Sequence, residues 1–247
     1  MANIAVLGLG NWGTDIARLW LLEGHNVTGW TIEQEVYESI TMNDVNEKYL
    51  PGHSVAGLDA TMHLSDALEG SEIVVLAVPS SVILDVVEDL LPHLQPGHVL
   101  LDLAKGLAPG SKLISQAIQT RLKEEGKTNP LAVLTGPTIA PEAAGGVMTT
   151  ALVASEEQAI AQRLAQTLST PSFILHPASD PEGAELWGAY KNVVALACGL
   201  VDGLKQVGDL GGDNLKAAIF MSGFKEGCLL LAELGARAEV ALSLIHI

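Results

Sequence analysis

The sequence predicts an α/β fold: a doubly wound sheet followed by an all-helical second part. Three observations carry this. Short apolar runs alternate with helix-period segments through the first two thirds of the chain. A glycine-rich loop sits between the first apolar run and the first helical segment. Strand-type runs stop near residue 179, and the rest reads as helix.

The elements follow in order. Ile4–Leu7 reads as a buried strand, Gly8-Leu9-Gly10-Asn11-Trp12-Gly13 as a turn, and Thr14–Glu23 as a helix. Gly8 permits the tight turn, Gly10 leaves the backbone open to phosphates, and Gly13 lets the helix pack close to the strand. Helix N–H groups and the positive end of the dipole then face an anion, so the loop is a candidate pyrophosphate cradle; a structural βα turn is the alternative. Val27–Trp30, Ile73–Val78, Val99–Ala104 and Leu131–Thr135 read as further parallel strands, with helices at Val82–Leu91 and Lys112–Leu122. Ala151–Ala154, a helix over Glu156–Leu168 and a strand at Phe173–Leu175 complete this part. At Asp180-Pro181-Glu182 an N-cap residue, a first-turn proline and an acid at the positive dipole end start a helix. The expected domains are therefore 1–179 and 180–247.

Composition narrows the function classes. Hydrophobic residues make up 48% and charged residues 17%, a core-forming profile. The net charge of −16 argues against nucleic acid and anionic membrane as partners. No apolar stretch approaches the roughly 20 residues of a membrane span, and the start lacks the basic region of a signal peptide. A soluble cytoplasmic protein is expected. Cys198 and Cys228 lie in apolar helical surroundings and read as small buried hydrophobes of a reducing compartment. The seven histidines show no metal-ligand spacing, so no metal is expected. The apolar end Ala241–Ile247 has no cap or polar tail, which suggests a fragment or a terminus docked on a partner.

Ligands of open α/β sheets bind beyond the carboxyl ends of the strands. Asn11 and Trp12 follow the first strand, Pro79-Ser80-Ser81 the third, Lys105-Gly106 the fourth, and Gly136-Pro137-Thr138-Ile139-Ala140-Pro141-Glu142 the fifth. Lys105 directly ends an apolar run, so its ammonium belongs either at the ligand edge or in a solvated loop. Lys191, followed by Asn192, lies inside the helix that begins near Pro181, on a strip with Ala195, Cys198 and Asp202. Buried beside Lys105, its pKa would fall through desolvation and like charge, which suits a proton donor to a carbonyl oxygen; a snorkelling lysine is the other reading. In Gly208–Asn214, Asp213 or Asn214 is expected to cap a helix over Leu215–Glu226.

In combination these motifs resemble the bacterial-type NAD(P)-dependent glycerol-3-phosphate dehydrogenases. The resemblance runs from Asn3 to about Arg237. It rests on Gly8–Thr14, Tyr49-Leu50-Pro51, Val78-Pro79-Ser80, Lys105-Gly106, Gly136–Ala140 with Glu142, Lys191-Asn192-Val193 and Gly212–Ala218. It implies a Rossmann-like N-terminal domain, a helical C-terminal domain and an active site between them. It also implies hydride transfer with NAD or NADP between dihydroxyacetone phosphate and sn-glycerol 3-phosphate, supplying glycerol phosphate for phospholipid synthesis. Lys191 would then be the general acid/base. Lys105, Gly136, Thr138 and Asn192 would contact substrate. Gly8, Gly10, Asn11, Trp12, Gly13, Pro79, Lys105 and Ala140 would contact the cofactor, and a homodimer is the assembly to consider.

This sequence also departs from the family pattern. The family continues with a G-x-G-D segment and an Arg-Asn pair beyond this chain, and Ser222 stands where many relatives carry arginine. Glu33, about 20 residues after Gly13, is placed to bind the ribose of NAD. Two rival readings remain at this stage: a two-domain dehydrogenase of another hydroxy acid, and a dinucleotide-binding module without turnover. Lys105 with Lys191-Asn192 argues against the second.

Overall fold

A computed structural model describes residues 1–108, 113–208, 211–237 and 240. The elements are β1 (Asn3–Leu7), α1 (Asn11–Leu22), β2 (Asn26–Trp30), α2 (Gln34–Asn43), β3 (Asp59–Thr61), α3 (Leu64–Leu68), β4 (Ile73–Leu76), α4 (Ile83–Leu90) and β5 (Val99–Asp102). After these come α5 (Ile114–Glu124), β6 (Leu131–Thr135), α6 (Ala140–Ala144), β7 (Thr149–Ser155), α7 (Gln158–Leu168), β8 (Phe173–Ala178), α8 (Pro181–Val207) and α9 (Asp213–Glu233). The proposed helix start at Lys112, Asp209 and Leu210 of the glycine-rich loop, and the apolar end Ala241–Ile247 lie outside the described residues.

The strands form one eight-stranded sheet in the order β3-β2-β1-β4-β5-β6-β7-β8. Chain order reverses between β1 and β4, which opens a crevice at their carboxyl ends. β1, β4, β5 and β6 are apolar almost throughout because helices cover both faces. One core cluster lies on each face: Ile4, Ile16, Trp20 and Leu101 on one, Leu7, Leu76, Ile83 and Leu100 on the other.

Four differences from the sequence reading have physical causes. The sheet is mixed, because β7 pairs antiparallel with β6; apolar content marks burial and carries no strand direction. α2, β3, α3 and α6 were not anticipated, since they are short or carry few apolar residues. α9 begins at Asp213 with extended Gly212 as its cap; Asp213 is already inside the helix and its carboxylate pairs with Lys205 at 3.2 Å. Cys198 and Cys228 are free but only half-buried, because the later turns of α8 and α9 leave much of their surface exposed.

Asp180 does cap α8: its Oδ1 accepts from Gly183 N at 2.9 Å. Its Oδ2 accepts from Arg237 N at 2.7 Å, which ties the segment after α9 back to the start of α8.

Candidate functional site

The loop after β1 is shaped by glycines for steric reasons. Gly8 holds φ at 108°, and a Cβ on Gly13 would lie 1.9 Å from the Gly8 carbonyl oxygen. A Cβ on Gly10 would meet nothing within 4 Å, so that side of the loop is open. No side chain caps α1, and its first-turn N–H groups remain available to an anion. The loop therefore fits a dinucleotide pyrophosphate.

A buried residue not singled out in the sequence holds this loop. Asn46 is fully buried. Its Nδ2 donates to the Leu9 carbonyl at 2.9 Å and to Thr14 Oγ1 at 2.8 Å. Its Oδ1 accepts from Tyr49 N at 3.1 Å, so it ties the Tyr49-Leu50-Pro51 segment to the glycine turn. Of the expected cofactor contacts, Asn11 and Pro79 are exposed and Ala140 is buried at the start of α6. Trp12 is half-buried, edge-on to Phe173 at 5.8 Å.

The two lysines meet on one short turn. Lys105 Nζ donates to Thr138 Oγ1 at 3.1 Å and to the Thr138 carbonyl at 3.3 Å. Lys191 Nζ, from α8, donates to the Gly136 carbonyl. Thr138 N closes the turn by donating to that same carbonyl at 3.0 Å. The turn leaves the carboxyl end of β6 and is sterically fixed: a Cβ on Gly136 would lie 2.8 Å from Ala151 Cα. Gly106 beside Ser80 brings in the loops after β5 and β4.

Electrostatics distinguishes the lysines. Burial and then the nearby Lys105 ammonium push Lys191 down to about 8. Burial also lowers Lys105; the residue as a whole is exposed, while its ammonium is partly buried against Thr138. Asn192 is exposed beside Lys191, and Asp202 is drawn to Lys216 at 2.7 Å, away from this turn.

Two acids behind the site also escaped the sequence reading. Asp102, fully buried at the end of β5, bonds Ala104 N at 2.8 Å through Oδ1. Burial pushes it well above the usual carboxylate range, and neighbouring Glu185 adds to the rise. Glu185, on α8, is raised by burial and binds the first turn of α5. Neither had a signal in the sequence, because their burial comes from the packing of distant elements.

At the tip of β2, the Glu33 carboxylate accepts from Tyr49 Oη at 2.9 Å and from Lys48, which also contacts Glu35. These bonds lower the pKa of Glu33, that to Lys48 most. Among the described residues no cluster of metal-ligating side chains is present, and no helix is long and apolar enough to cross a membrane.

Comparisons with known proteins show the family. The family description "NAD-dependent glycerol-3-phosphate dehydrogenase N-terminus" matches residues 3–161, and the corresponding C-terminus matches residues 180–247. A glycerol-3-phosphate dehydrogenase [NAD(P)+] of Rhodospirillum rubrum is 39% identical over 239 residues, 96% of this chain and 66% of the relative. One from Fusobacterium nucleatum is 36% identical over 92% of the chain and 66% of the relative. The crystal structure of a Coxiella burnetii glycerol-3-phosphate dehydrogenase superposes with a TM-score of 0.87 at 31% identity, covering 98% of this chain and 72% of that one. The chain spans about two thirds of the length of the curated relatives it matches.

Proposed function

The chain belongs to the NAD-dependent glycerol-3-phosphate dehydrogenase family, and from that premise we propose that it interconverts dihydroxyacetone phosphate and sn-glycerol 3-phosphate. The observation that carries this is the convergence of Lys105 and Lys191 on the Gly136–Thr138 turn at the ligand edge of the sheet. Gly8, Gly10, Asn11, Trp12, Gly13, Pro79, Lys105 and Ala140 would hold the dinucleotide. Lys105, Gly136, Thr138 and Asn192 would hold the substrate. Bound NAD(H) or NADP(H) supplies or accepts the hydride. In reduction, Lys191 Nζ gives a proton to the carbonyl oxygen as that oxygen gains charge; in oxidation, the neutral amine takes the proton from the hydroxyl. A group near pKa 8 performs both roles close to neutral pH.

The division of labour follows the chain. Residues 1–179 bind the dinucleotide, and residues 180–247 bring the proton-transfer lysine. Supply of glycerol phosphate to phospholipid synthesis in the cytoplasm belongs to the same proposal, supported by the family.

The test is direct. With NADH and dihydroxyacetone phosphate, the protein consumes NADH and forms glycerol 3-phosphate. Consumption with a different 2-oxo compound and none with dihydroxyacetone phosphate would overturn the substrate assignment. Binding of NADH without turnover of any carbonyl compound would favour the dinucleotide-binding module.

A further inference from the structure

Glu185 lies six residues before Lys191 on α8 and is only 4% exposed. A carboxylate so deeply placed is costly unless hydrogen-bonded. Its partners belong to another element, the first turn of α5. Oε1 accepts from Ile114 N at 2.5 Å and Ser115 N at 3.3 Å. Oε2 accepts from Ser115 N at 3.2 Å and from the Ser115 hydroxyl. No side chain of α5's own N-cap residue, Leu113, caps that helix. Glu185 therefore fills the place of a capping side chain from across the fold, with its negative charge at the positive end of the α5 dipole.

This joint fixes α8 against the sheet domain. Six helical residues span about 9 Å, so the joint lies less than two turns from Lys191. Between them, Gly188 lets α8 approach β6: a Cβ there would lie 2.5 Å from Thr135 Oγ1. The proton-transfer chemistry does not use Glu185, whose hydrogen bonds all go to α5.

We propose that Glu185 is a positioning residue for Lys191: by clamping α8 to the first turn of α5, it sets the helix so that Lys191 Nζ reaches the Gly136 carbonyl beside Lys105. The inference rests on the reading of Lys191 as the proton-transfer group. A helix held loosely at this joint lets Lys191 drift from both its buried niche and Lys105, the two causes of its lowered pKa.

The experiment reads Lys191 itself, without turnover. The 247-residue chain is modified with trinitrobenzenesulfonate across a pH series, and the rate at Lys191 is followed by peptide mass spectrometry. The parent chain is expected to inflect near pH 8. Glu185→Ala shifts the inflection up by about one unit, which slows modification at pH 7 about tenfold. Glu185→Gln keeps an acceptor oxygen for the α5 N–H groups and restores most of the parent profile. NADH affinity, measured by fluorescence, stays within about twofold of the parent in both variants, since the Gly8–Gly13 loop is untouched. A folded Glu185→Ala chain whose Lys191 profile is unchanged overturns the proposal. Should Glu185→Ala not fold, Ser115→Ala removes a single bond of the joint; a smaller upward shift supports the proposal, and no shift overturns it. The two readings separate cleanly. A shifted Lys191 profile in a protein that never turns over dihydroxyacetone phosphate sinks the substrate and leaves the joint. An unchanged profile in an enzyme that does turn it over sinks the joint alone.

Discussion

Lys191 loses its proton near pH 8 because burial and the Lys105 ammonium both disfavour its charge. In the proposed role, the protonated form would serve reduction and the neutral form oxidation. The rate of carbonyl reduction is therefore expected to fall as pH rises through about 8, while alcohol oxidation rises through the same value; coincident profiles in the two directions would contradict the assignment. Lys191→Ala should lower kcat by roughly 100-fold or more, and a near-parent rate would remove Lys191 from the chemistry. Asp15 is a second titrating residue, with a different consequence. It is fully buried, neither carboxylate oxygen has a partner, and burial pushes it up to about 7 against a smaller pull from Arg18. Well below pH 3.8 the acid is neutral in both folded and unfolded chains and costs nothing through ionisation. As pH rises towards 7 the unfolded chain ionises freely and the folded one does not, so stability falls by on the order of 4 kcal/mol. Asp15→Asn should stabilise the chain in urea denaturation at pH 8 and lose most of that gain near pH 4; an equal gain at both would show that ionisation is not the cause. Glu33 and Glu35 share Lys48 at the tip of β2, so a ribose 2′-phosphate would meet two carboxylates and one ammonium. NADH should bind at least about tenfold tighter than NADPH, a margin that Glu33→Gln narrows; equal affinities for the parent chain would dismiss Glu33 as the discriminator. Lys105 and Lys191 were legible because a cation at a strand end, and one in a family motif, stand out in one dimension. Asn46, Asp102 and Glu185 were not, since each matters through burial made by residues far along the chain.

At the scale of elements, the strand–loop–helix unit that opens the chain was the most legible part. Its sequence states the constraint directly: Gly8 and Gly13 stand where a side chain would change the geometry, and Gly10 leaves its side of the loop open. The sharpest of these is Gly13, where α1 passes the Gly8 carbonyl too closely for any Cβ. Gly13→Ala must push α1 away from the turn, because the obstacle is backbone and cannot rotate aside. The expected cost is about 1–3 kcal/mol of stability, together with a clear loss of NADH affinity as the helix N-terminus leaves the cradle. Unchanged NADH affinity in a folded variant would mean that the cradle does not bind the cofactor. The N-terminus of α8 was equally readable, because Asp180-Pro181-Glu182 is a cap written in consecutive residues. The start of α9 misled, because an aspartate near a helix start signals a cap only when its backbone is extended, and here extended Gly212 takes that position.

For the whole molecule, the alternation of runs and helices was enough to give the layered sheet, since continuous apolar strands require cover on both faces. It could not give the antiparallel turn of β7, because direction is decided by how the chain returns around α6 rather than by the strand's own residues. The helical part shows the same limit in another form. Apolar content along α8 and α9 is high, yet its placement divides the molecule. The first turns of α8 bury Gly183, Ala184, Glu185 and Gly188, and Trp187 stacks on Phe224 of α9 at 5.4 Å, whereas the later turns bury Val201, and α9 buries only Gly227 and Leu231. Leu196, Leu200, Phe220, Met221 and Leu229 are each more than half exposed. Local stability follows buried contact, so opening free energy should fall along α8 and be lowest in α9. In hydrogen exchange of the 247-residue chain, the amides of β1, β4 and β5 should therefore open only with global unfolding. Those of α9 should exchange at least about 100-fold faster, a difference of about 3 kcal/mol. The break should fall within α8 beyond Lys191, whose ammonium is tied to the Gly136 carbonyl, so that the turn bearing Lys191 stays on the stable side. Protection of α9 equal to that of β1 would show that the helical pair and the sheet unfold as one unit, and the gradient along α8 would then have no basis.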